Sequence, residues 1–135
     1  MDQCCPSDGC DHSVTSAHVD LRIDNNGTWM DAFQFGTPDD TSWTLVGQKF
    51  ELDVQRNPYD LVPALHLDTD TNRIIIDDAV QRVIHFNVAP ADLQANLTPG
   101  SYVYDLVMVD ASNTRVPLMH GQLVVAQGVT YPAGP

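Results

Sequence analysis

Basic residues are scarce in this chain of 135 residues. It has six Lys and Arg residues, of which Lys49 is the only lysine, against 18 Asp and Glu residues, and its formal net charge is −12. Binding to nucleic-acid phosphates takes clustered Lys and Arg, so a nucleic-acid partner is not expected. The acidic residues are scattered along the chain, which favours solubility or a basic partner.

Long apolar runs are also missing. No stretch approaches the ~20 apolar residues that cross a bilayer, and Met1-Asp2-Gln3 does not start a secretory signal. We therefore expect no membrane partner and folding in a cytosol. Cysteine is absent after Cys10, so no disulfide is expected in the body of the chain, whose length is sufficient for a core of its own.

The distribution of apolar residues divides the chain into three parts. Residues 1–16 lack apolar periodicity and are rich in turn formers, which predicts an irregular arm that carries all three cysteines. Over residues 17–131, short alternating runs are separated by turn signals at the spacing of a sandwich. The prediction is an all-β domain, an immunoglobulin-like antiparallel β-sandwich of about seven to nine short strands, followed by a short tail over 132–135. Pro90 predicts one or two helical turns after it.

Local signals predict several details of the sandwich. Alternation over His18–Asp24 predicts a half-buried strand, and Asn25-Asn26-Gly27 predicts a hairpin turn that leads to a second strand over Trp29–Phe35. A short hairpin is predicted around Asp68–Asn72, because apolar runs flank it on both sides. Gly121 interrupts the last strand and predicts a bulge.

The stretch from Pro99 to Asp110 has the clearest strand signal. Pro presets one backbone angle and Gly accepts a positive φ, so Pro99-Gly100 predicts a turn with a strand after it. Both faces of that strand are largely apolar, which predicts a central position. Tyr102 resembles the corner tyrosine of immunoglobulin-like sandwiches, whose hydroxyl bonds back to the corner backbone.

A longer motif extends this corner. Pro99-Gly100-Ser101-Tyr102-Val103-Tyr104-Asp105-Leu106 is followed later by Gly121-x-Leu123-x-Val125, and it is preceded by an aromatic strand, Trp29–Phe35, and a polar edge strand, Phe50–Gln55. In this pattern residues 17–131 resemble the small immunoglobulin-like β-sandwich domains of tailed-phage virion proteins. The resemblance implies a non-catalytic structural protein of the tail, baseplate or fibre attachment, located in the virion and assembled in the host cytoplasm. It also implies partners among other virion structural proteins, in a symmetric assembly that contains several copies of the chain.

The arm carries a different kind of signal. Cys4, Cys5, Cys10 and His12 place three thiols and an imidazole within nine residues, and these donors suit a tetrahedral Zn site better than an Fe–S cluster. The spacing differs from the common Cys-x2-Cys arrangements, and reduced thiols without a metal are the alternative in a cytosol. His18 or a neighbouring subunit is a source for a missing ligand.

Other candidate sites are better explained as ordinary structure. Asp68–Asn72 has oxygen donors at alternate positions but lacks the Gly and Glu of a Ca²⁺ loop, so a polar turn is the favoured interpretation. The histidines are spread over separate elements without a nucleophile-elbow motif, and His66, His85 and His120 fit polar positions on strand faces. The chain is therefore predicted to be non-enzymatic. Two alternatives to the tail role stay open: a capsid decoration or neck protein, and a stand-alone carbohydrate- or calcium-binding module.

Overall fold

Alternating burial produces the strands of this chain. Between Lys49 and Gln55, for example, Phe50, Leu52 and Val54 are buried and the residues between them face outwards. The computed structural model describes residues 16–130. Its elements are β1 (Ala17–His18), β2 (Leu21–Asp24), β3 (Ala32–Gln34), β4 (Lys49–Gln55), β5 (Leu65–Asp68), β6 (Ile74–Asp78), β7 (Val83–Phe86), α1 (Pro90–Asn96), β8 (Gly100–Val109) and β9 (Arg115–Ala126).

These strands form two sheets. The larger sheet has the order β1-β9-β8-β4-β5, and β2 pairs with β9 on the same side as β1. The smaller sheet has the order β3-β7-β6. The predicted all-β sandwich is therefore confirmed, and nine strands fall within the described residues. One detail differs from a purely antiparallel sandwich, because β1 and β2 run parallel to β9.

The core lies between the two sheets and is closed by the short helix. Phe35 and Phe50 stack across it with centroids 6.1 Å apart, and Trp29 meets Phe86 edge-on at 5.0 Å on the side of the smaller sheet. Leu93 of α1 is fully buried against this core, and Pro90 stands in the first turn of the helix as predicted. Within residues 16–130 no helix is long and apolar enough to cross a membrane.

The corner tyrosine is confirmed. The Tyr102 hydroxyl donates a hydrogen bond to the Thr98 carbonyl oxygen at 2.7 Å, which ties the start of β8 to the turn before it. The β8 strand lies between β4 and β9, so its predicted central position is also confirmed. The two longest strands, β8 and β9, pair with each other, and the other strands of the larger sheet are arranged on either side of this pair.

Both predicted hairpins are wrong, because each turn joins strands of different sheets. After Asn25-Asn26-Gly27 the chain leaves β2 of the larger sheet for β3 of the smaller one, and the buried Asn25 accepts a hydrogen bond from the Gly128 N–H instead. The turn Asp68–Asn72 likewise connects β5 of the larger sheet to β6 of the smaller sheet. A turn signal specifies a reversal of the chain, whereas strand pairing is decided by which apolar faces meet in the core.

Three strand predictions also need correction. The predicted polar edge strand over Phe50–Gln55 is instead inside the larger sheet, because β4 lies between β8 and β5. Strand pairing over His18–Asp24 is interrupted at Val19 and Asp20, which separates β1 from β2. The Trp29–Phe35 strand shrinks to Ala32–Gln34, with Trp29 joined to Val88 by a single bridge.

The bulge of β9 is at Leu118, because Leu106 pairs with Met119 while the next residue of β8 pairs with Pro117. Gly121, the predicted bulge, is instead a regular partner of Tyr104.

Candidate functional site

The four predicted metal ligands, Cys4, Cys5, Cys10 and His12, lie outside the described residues 16–130. Among the described residues, no three His, Cys, Asp or Glu side chains already surround a common point at which a metal would bind. The candidate site of the described part is instead the outer face of the larger sheet, where titratable side chains from separate strands come together.

One row of side chains crosses that face from edge to edge. His18 of β1 is in register with His120 of β9, His120 with Asp105 of β8, Asp105 with Asp53 of β4, and Asp53 with His66 of β5. Residues in register on adjacent strands share a face and have Cβ atoms about 5 Å apart. We call these five residues the sheet-face row.

An open groove of about 750 Å³ runs along part of this row. Its lining is mostly polar side chains of the sheet together with backbone around Gly121. The lining residues are His18, Asp20, Asp53, Gln55, Pro58, Val103, Tyr104, Asp105, His120, Gly121 and Gln122. The groove therefore offers carboxylates and imidazoles to a ligand, beside the apolar surface of residues such as Pro58 and Val103.

At one end of the row, His66 lies between two carboxylates. Its Nδ1 is 2.5 Å from Asp53 Oδ1 and its Nε2 is 3.1 Å from Asp68 Oδ2. Partial burial works to lower the pKa of His66, but hydrogen bonds and charge from Asp53, joined by Asp68, outweigh it and raise that pKa above its ordinary value. Each carboxylate contacts a different nitrogen of the ring, so His66, Asp53 and Asp68 do not face one common binding point.

The middle of the row places two carboxylates opposite each other. Asp105 and Asp53 are cross-strand partners of the same sign. Partial burial and then the Asp53 charge raise the pKa of Asp105 above its ordinary value. Like charges placed this way attract cations or basic groups, since a positive partner relieves their repulsion.

At the other end, two imidazoles and a carboxylate cluster. The His18 and His120 ring centroids are 5.3 Å apart with a 43° tilt, and His18 Nε2 is 2.9 Å from Asp20 Oδ1. The Gln122 N–H also donates to Asp20 Oδ1 at 2.9 Å, and this bond, followed by the one from His18, lowers the pKa of Asp20. The Asp20 side chain is thus held as an anion beside two histidines.

Gly121 allows β1 to approach at this end. A Cβ atom on Gly121 would lie 2.2 Å from the Val19 carbonyl oxygen, far inside contact distance. Tyr104 donates its hydroxyl hydrogen to that same oxygen. Burial, together with the charges of Asp20 and Asp31, raises the pKa of Tyr104, so the hydroxyl stays a donor.

The arrangement is incomplete for nucleophilic catalysis. Ser16 Oγ is 2.7 Å from His120 Nδ1, which is the contact a nucleophile makes with its base. A triad also needs a carboxylate hydrogen-bonded to the second ring nitrogen. Within the described residues, the carboxylates hydrogen-bonded to histidine rings are on His18, His66 and His85.

The Asp68–Asn72 turn, which has oxygen donors at alternate positions, uses one oxygen of the Asp68 carboxylate within the turn itself. Asp68 Oδ1 accepts hydrogen bonds from both the backbone N–H and the hydroxyl of Thr71, each at 2.8 Å. This is the side-chain pattern of an Asx turn, which agrees with the favoured interpretation of a polar turn.

The sequence predicts that each residue of the sheet-face row lies on a strand, but it does not predict that these residues are neighbours. Alternation puts Asp53 and His18 on the polar faces of their strands, and His66 and His120 fit polar positions on strand faces. The missing information was the strand order, which puts β1, β9, β8, β4 and β5 side by side.

Comparison with known proteins gives only a distant likeness. No family model and no curated protein matches the chain. Solved structures are only loosely similar, and three of them illustrate the level of likeness. CopC from Methylosinus trichosporium OB3b is 11% identical with a TM-score of 0.37, over 87% of this chain and 89% of that one. The PmoD soluble domain from Methylocystis sp. ATCC 49242 (Rockwell) is 14% identical with a TM-score of 0.35, over 79% and 77%. Extracellular domains 3-5 of Drosophila OTK are 12% identical with a TM-score of 0.36, over 84% of this chain and 35% of that one. At these values none of the three assigns the chain to a family.

Proposed function

We propose that the chain is a non-enzymatic structural subunit of a tailed-phage virion, at the tail, baseplate or fibre attachment, where it docks on other virion proteins. The virion setting is supported by the sequence resemblance, whose most specific pieces, Pro99–Leu106 and Gly121–Val125, belong to the central strands β8 and β9. Docking is supported by one structural observation, the loop between β4 and β5.

This loop carries three large apolar side chains in solvent. Tyr59, Leu61 and Val62 are 89%, 98% and 79% exposed. Covering an exposed side chain of this size contributes about 1.5–3 kcal/mol, so three of them supply a substantial part of a binding energy. Neighbouring exposed apolar and aromatic residues are typical of the centre of a protein interface.

The loop is also pre-shaped for binding. The Asp60 N–H donates to the Asn57 carbonyl oxygen at 3.2 Å, and the Tyr59 N–H donates to Asn57 Oδ1 at 3.1 Å. Such a turn loses less conformational entropy on binding than an unstructured loop. The loop therefore presents its apolar side chains to a partner in a conformation that is already ordered.

The surroundings of the loop indicate a basic partner. Pro58 lines the groove that runs along the sheet-face row. The lining of this groove also contains the carboxylates of Asp20, Asp53 and Asp105. The whole chain carries 18 acidic and 6 basic residues. A partner with an apolar pocket for Leu61, rimmed by Lys or Arg, is complementary to this face, and its association would weaken with added salt.

Strand addition is the less favoured mode of docking. The outer strands β3, β5 and β6 have three, four and five residues, and short edges of this kind offer few backbone groups to another chain. Copies of the chain around a symmetric ring would then each use the same loop on the same partner.

Immunoelectron microscopy of virus particles against this protein tests the setting. Label on the tail, baseplate or fibre attachment is expected. Label on the shell or neck would favour the capsid decoration or neck alternative, and a protein absent from particles would refute the virion proposal.

A pair of matched variants tests the loop. Leu61→Asp should abolish incorporation into particles. Val46→Asp places the same charge at another exposed aliphatic residue, in a different loop, and should incorporate normally. Circular dichroism should show both variants folded. Normal incorporation of Leu61→Asp would contradict docking through this loop.

A further inference from the structure

The strand register brings two histidines of distant sequence positions together on an exposed surface. His18 and His120 are 102 residues apart in the chain and are direct partners in the parallel β1–β9 pair. Both side chains are on the solvent face of the larger sheet, at the wall of the groove. Neither contributes to the apolar core, so packing gives no reason for two imidazoles at this point.

We propose that His18, His120 and Asp20 bind one divalent transition-metal ion, such as Zn²⁺, Ni²⁺ or Cu²⁺. This site is separate from the predicted Cys4, Cys5, Cys10 and His12 set. It does not rest on the virion setting, since its ligands all belong to the described part of this one chain.

The distance between the rings fits a shared ion. An imidazole nitrogen binds such an ion at about 2.1 Å, which places the ring centroid about 3.2 Å away, so two imidazoles at tetrahedral angles have centroids about 5 Å apart. The observed separation of the His18 and His120 centroids is 5.3 Å. The separation of the two rings is therefore compatible with a two-histidine chelate.

Asp20 supplies the third donor. Its Oδ1 is 2.9 Å from His18 Nε2, and the Gln122 N–H holds that oxygen in place. The described residues do not yet surround one point with three donors. The His18 side chain is 66% exposed, however, so its ring can turn beside the Asp20 oxygen and coordinate the ion without disturbing the core.

His120 also has a hydrogen-bond partner on its other ring nitrogen. Ser16 Oγ is 2.7 Å from His120 Nδ1, which engages this nitrogen and leaves Nε2 as the ring nitrogen that would bind the ion. Metal-binding histidines generally have such a partner on their other nitrogen. Two imidazoles and a carboxylate suit borderline divalent ions, and the remaining position is left for water or a partner's side chain.

The other histidine–carboxylate contacts have a different geometry and serve as controls. His66 faces Asp53 and Asp68 from its two different nitrogens, and His85 meets the single carboxylate of Asp77 at 2.7 Å. Neither has a second imidazole across the strand. They match the proposed ligands in residue type and in proximity to acid, but not in geometry.

The test is a metal titration of the full chain by isothermal calorimetry. It is run on the wild-type chain and on a chain with Cys4→Ser, Cys5→Ser and Cys10→Ser, so that thiolate binding in the arm is counted separately. We expect the serine chain to bind one equivalent of Zn²⁺ or Ni²⁺. Adding His18→Gln or His120→Gln should weaken that binding at least tenfold, whereas His66→Gln and His85→Gln should leave it unchanged.

A site-resolved readout completes the test. In the serine chain, substoichiometric Cu²⁺ should broaden the imidazole NMR signals of His18 and His120 first and leave those of His66 and His85 sharp. Equal broadening of all histidines, or binding that survives both His18→Gln and His120→Gln, would overturn the site. Because no virion component enters the titration, this proposal and the docking proposal can each fail alone.

Discussion

Arg82 is a buried cation that holds a long loop by its carbonyl groups. Its side chain is fully buried, and its guanidinium donates to the carbonyl oxygens of Phe35 at 2.7 Å, Thr37 at 2.6 Å, Trp43 at 3.0 Å and Val80 at 2.9 Å. Its backbone adopts a left-handed φ of 61°, which costs a non-glycine residue ~1–2 kcal/mol. The hydrogen bonds must therefore offset both this conformation and the loss of water from a charged group.

We expect Arg82→Met to lower the free energy of unfolding by about 3–5 kcal/mol. A hydrogen bond from a charged donor contributes about 1.5–3 kcal/mol, and each carbonyl left buried without a donor costs about 1–3 kcal/mol. The four carbonyls belong to surface connections, so some of them will turn to water, which keeps the net loss below the simple sum. A domain of this size has about 5–15 kcal/mol in total, so the variant should be severely destabilised but measurable.

Urea unfolding followed by tryptophan fluorescence provides the measurement, since the Arg82 guanidinium is 5.5 Å from the Trp43 ring centroid. Arg82→Lys keeps the charge but reaches fewer carbonyls, and it should lie between wild type and Arg82→Met. Arg22→Met makes the same change at an exposed strand position and should stay within about 0.5 kcal/mol of wild type. A loss below about 1 kcal/mol for Arg82→Met would refute the role of the carbonyl hydrogen bonds.

Three further substitutions test the framework of the sheet face. Gly121→Ala should cost about 1–3 kcal/mol and disrupt β1, because its Cβ would collide with the Val19 carbonyl; denaturant unfolding and amide exchange of β1 report it. Tyr102→Phe should cost about 1 kcal/mol in the same unfolding assay, because the hydrogen bond to the Thr98 carbonyl is lost. His66 has a raised pKa in the folded state, so its protonation adds stability that is complete below the unfolded pKa and is lost as pH rises through the folded value. His66→Gln should remove that part of the pH dependence of unfolding, measured from about pH 5 to 9 around the ordinary histidine pKa.

Each of these changes has a matched control. Gly27→Ala adds a Cβ where nothing lies within 4 Å, and Tyr59→Phe removes a hydroxyl from an 89% exposed ring, so both should be nearly silent. If Gly121→Ala or Tyr102→Phe were equally silent, the close approach or the corner bond would be unimportant for stability. A pH profile of His66→Gln that matches wild type would contradict stabilisation by Asp53 and Asp68.

The sequence predicts the strands well because the signal is local. Alternation specifies which face of β4 or β7 is buried, and the Pro99-Gly100 corner identifies the start of β8 and the bonding of Tyr102. Pro90 marks the helix for the same reason, since its fixed φ suits a first helical turn. In each case the deciding residues are neighbours in the chain.

The sheet-face row was beyond prediction because its cause is not local. His18, Asp53 and His120 are each ordinary polar positions of their own strands. Their proximity depends on β1 pairing with β9 and β4 pairing with β8, across separations of up to 102 residues. Turn signals do not supply this order, as the Asn25-Asn26-Gly27 turn illustrates by joining strands of different sheets.

Gly121 shows how the two kinds of information meet in one residue. A glycine inside a strand indicates either a bulge or a close backbone approach, and local sequence does not distinguish them. The structure places the bulge at Leu118, so the glycine is explained by the Val19 carbonyl that lies over it. That approach keeps β1 in register with β9 and so sets His18 beside His120. Gly121, which interrupts the apolar pattern of the last strand, is therefore the residue that allows His18 and His120 to lie side by side.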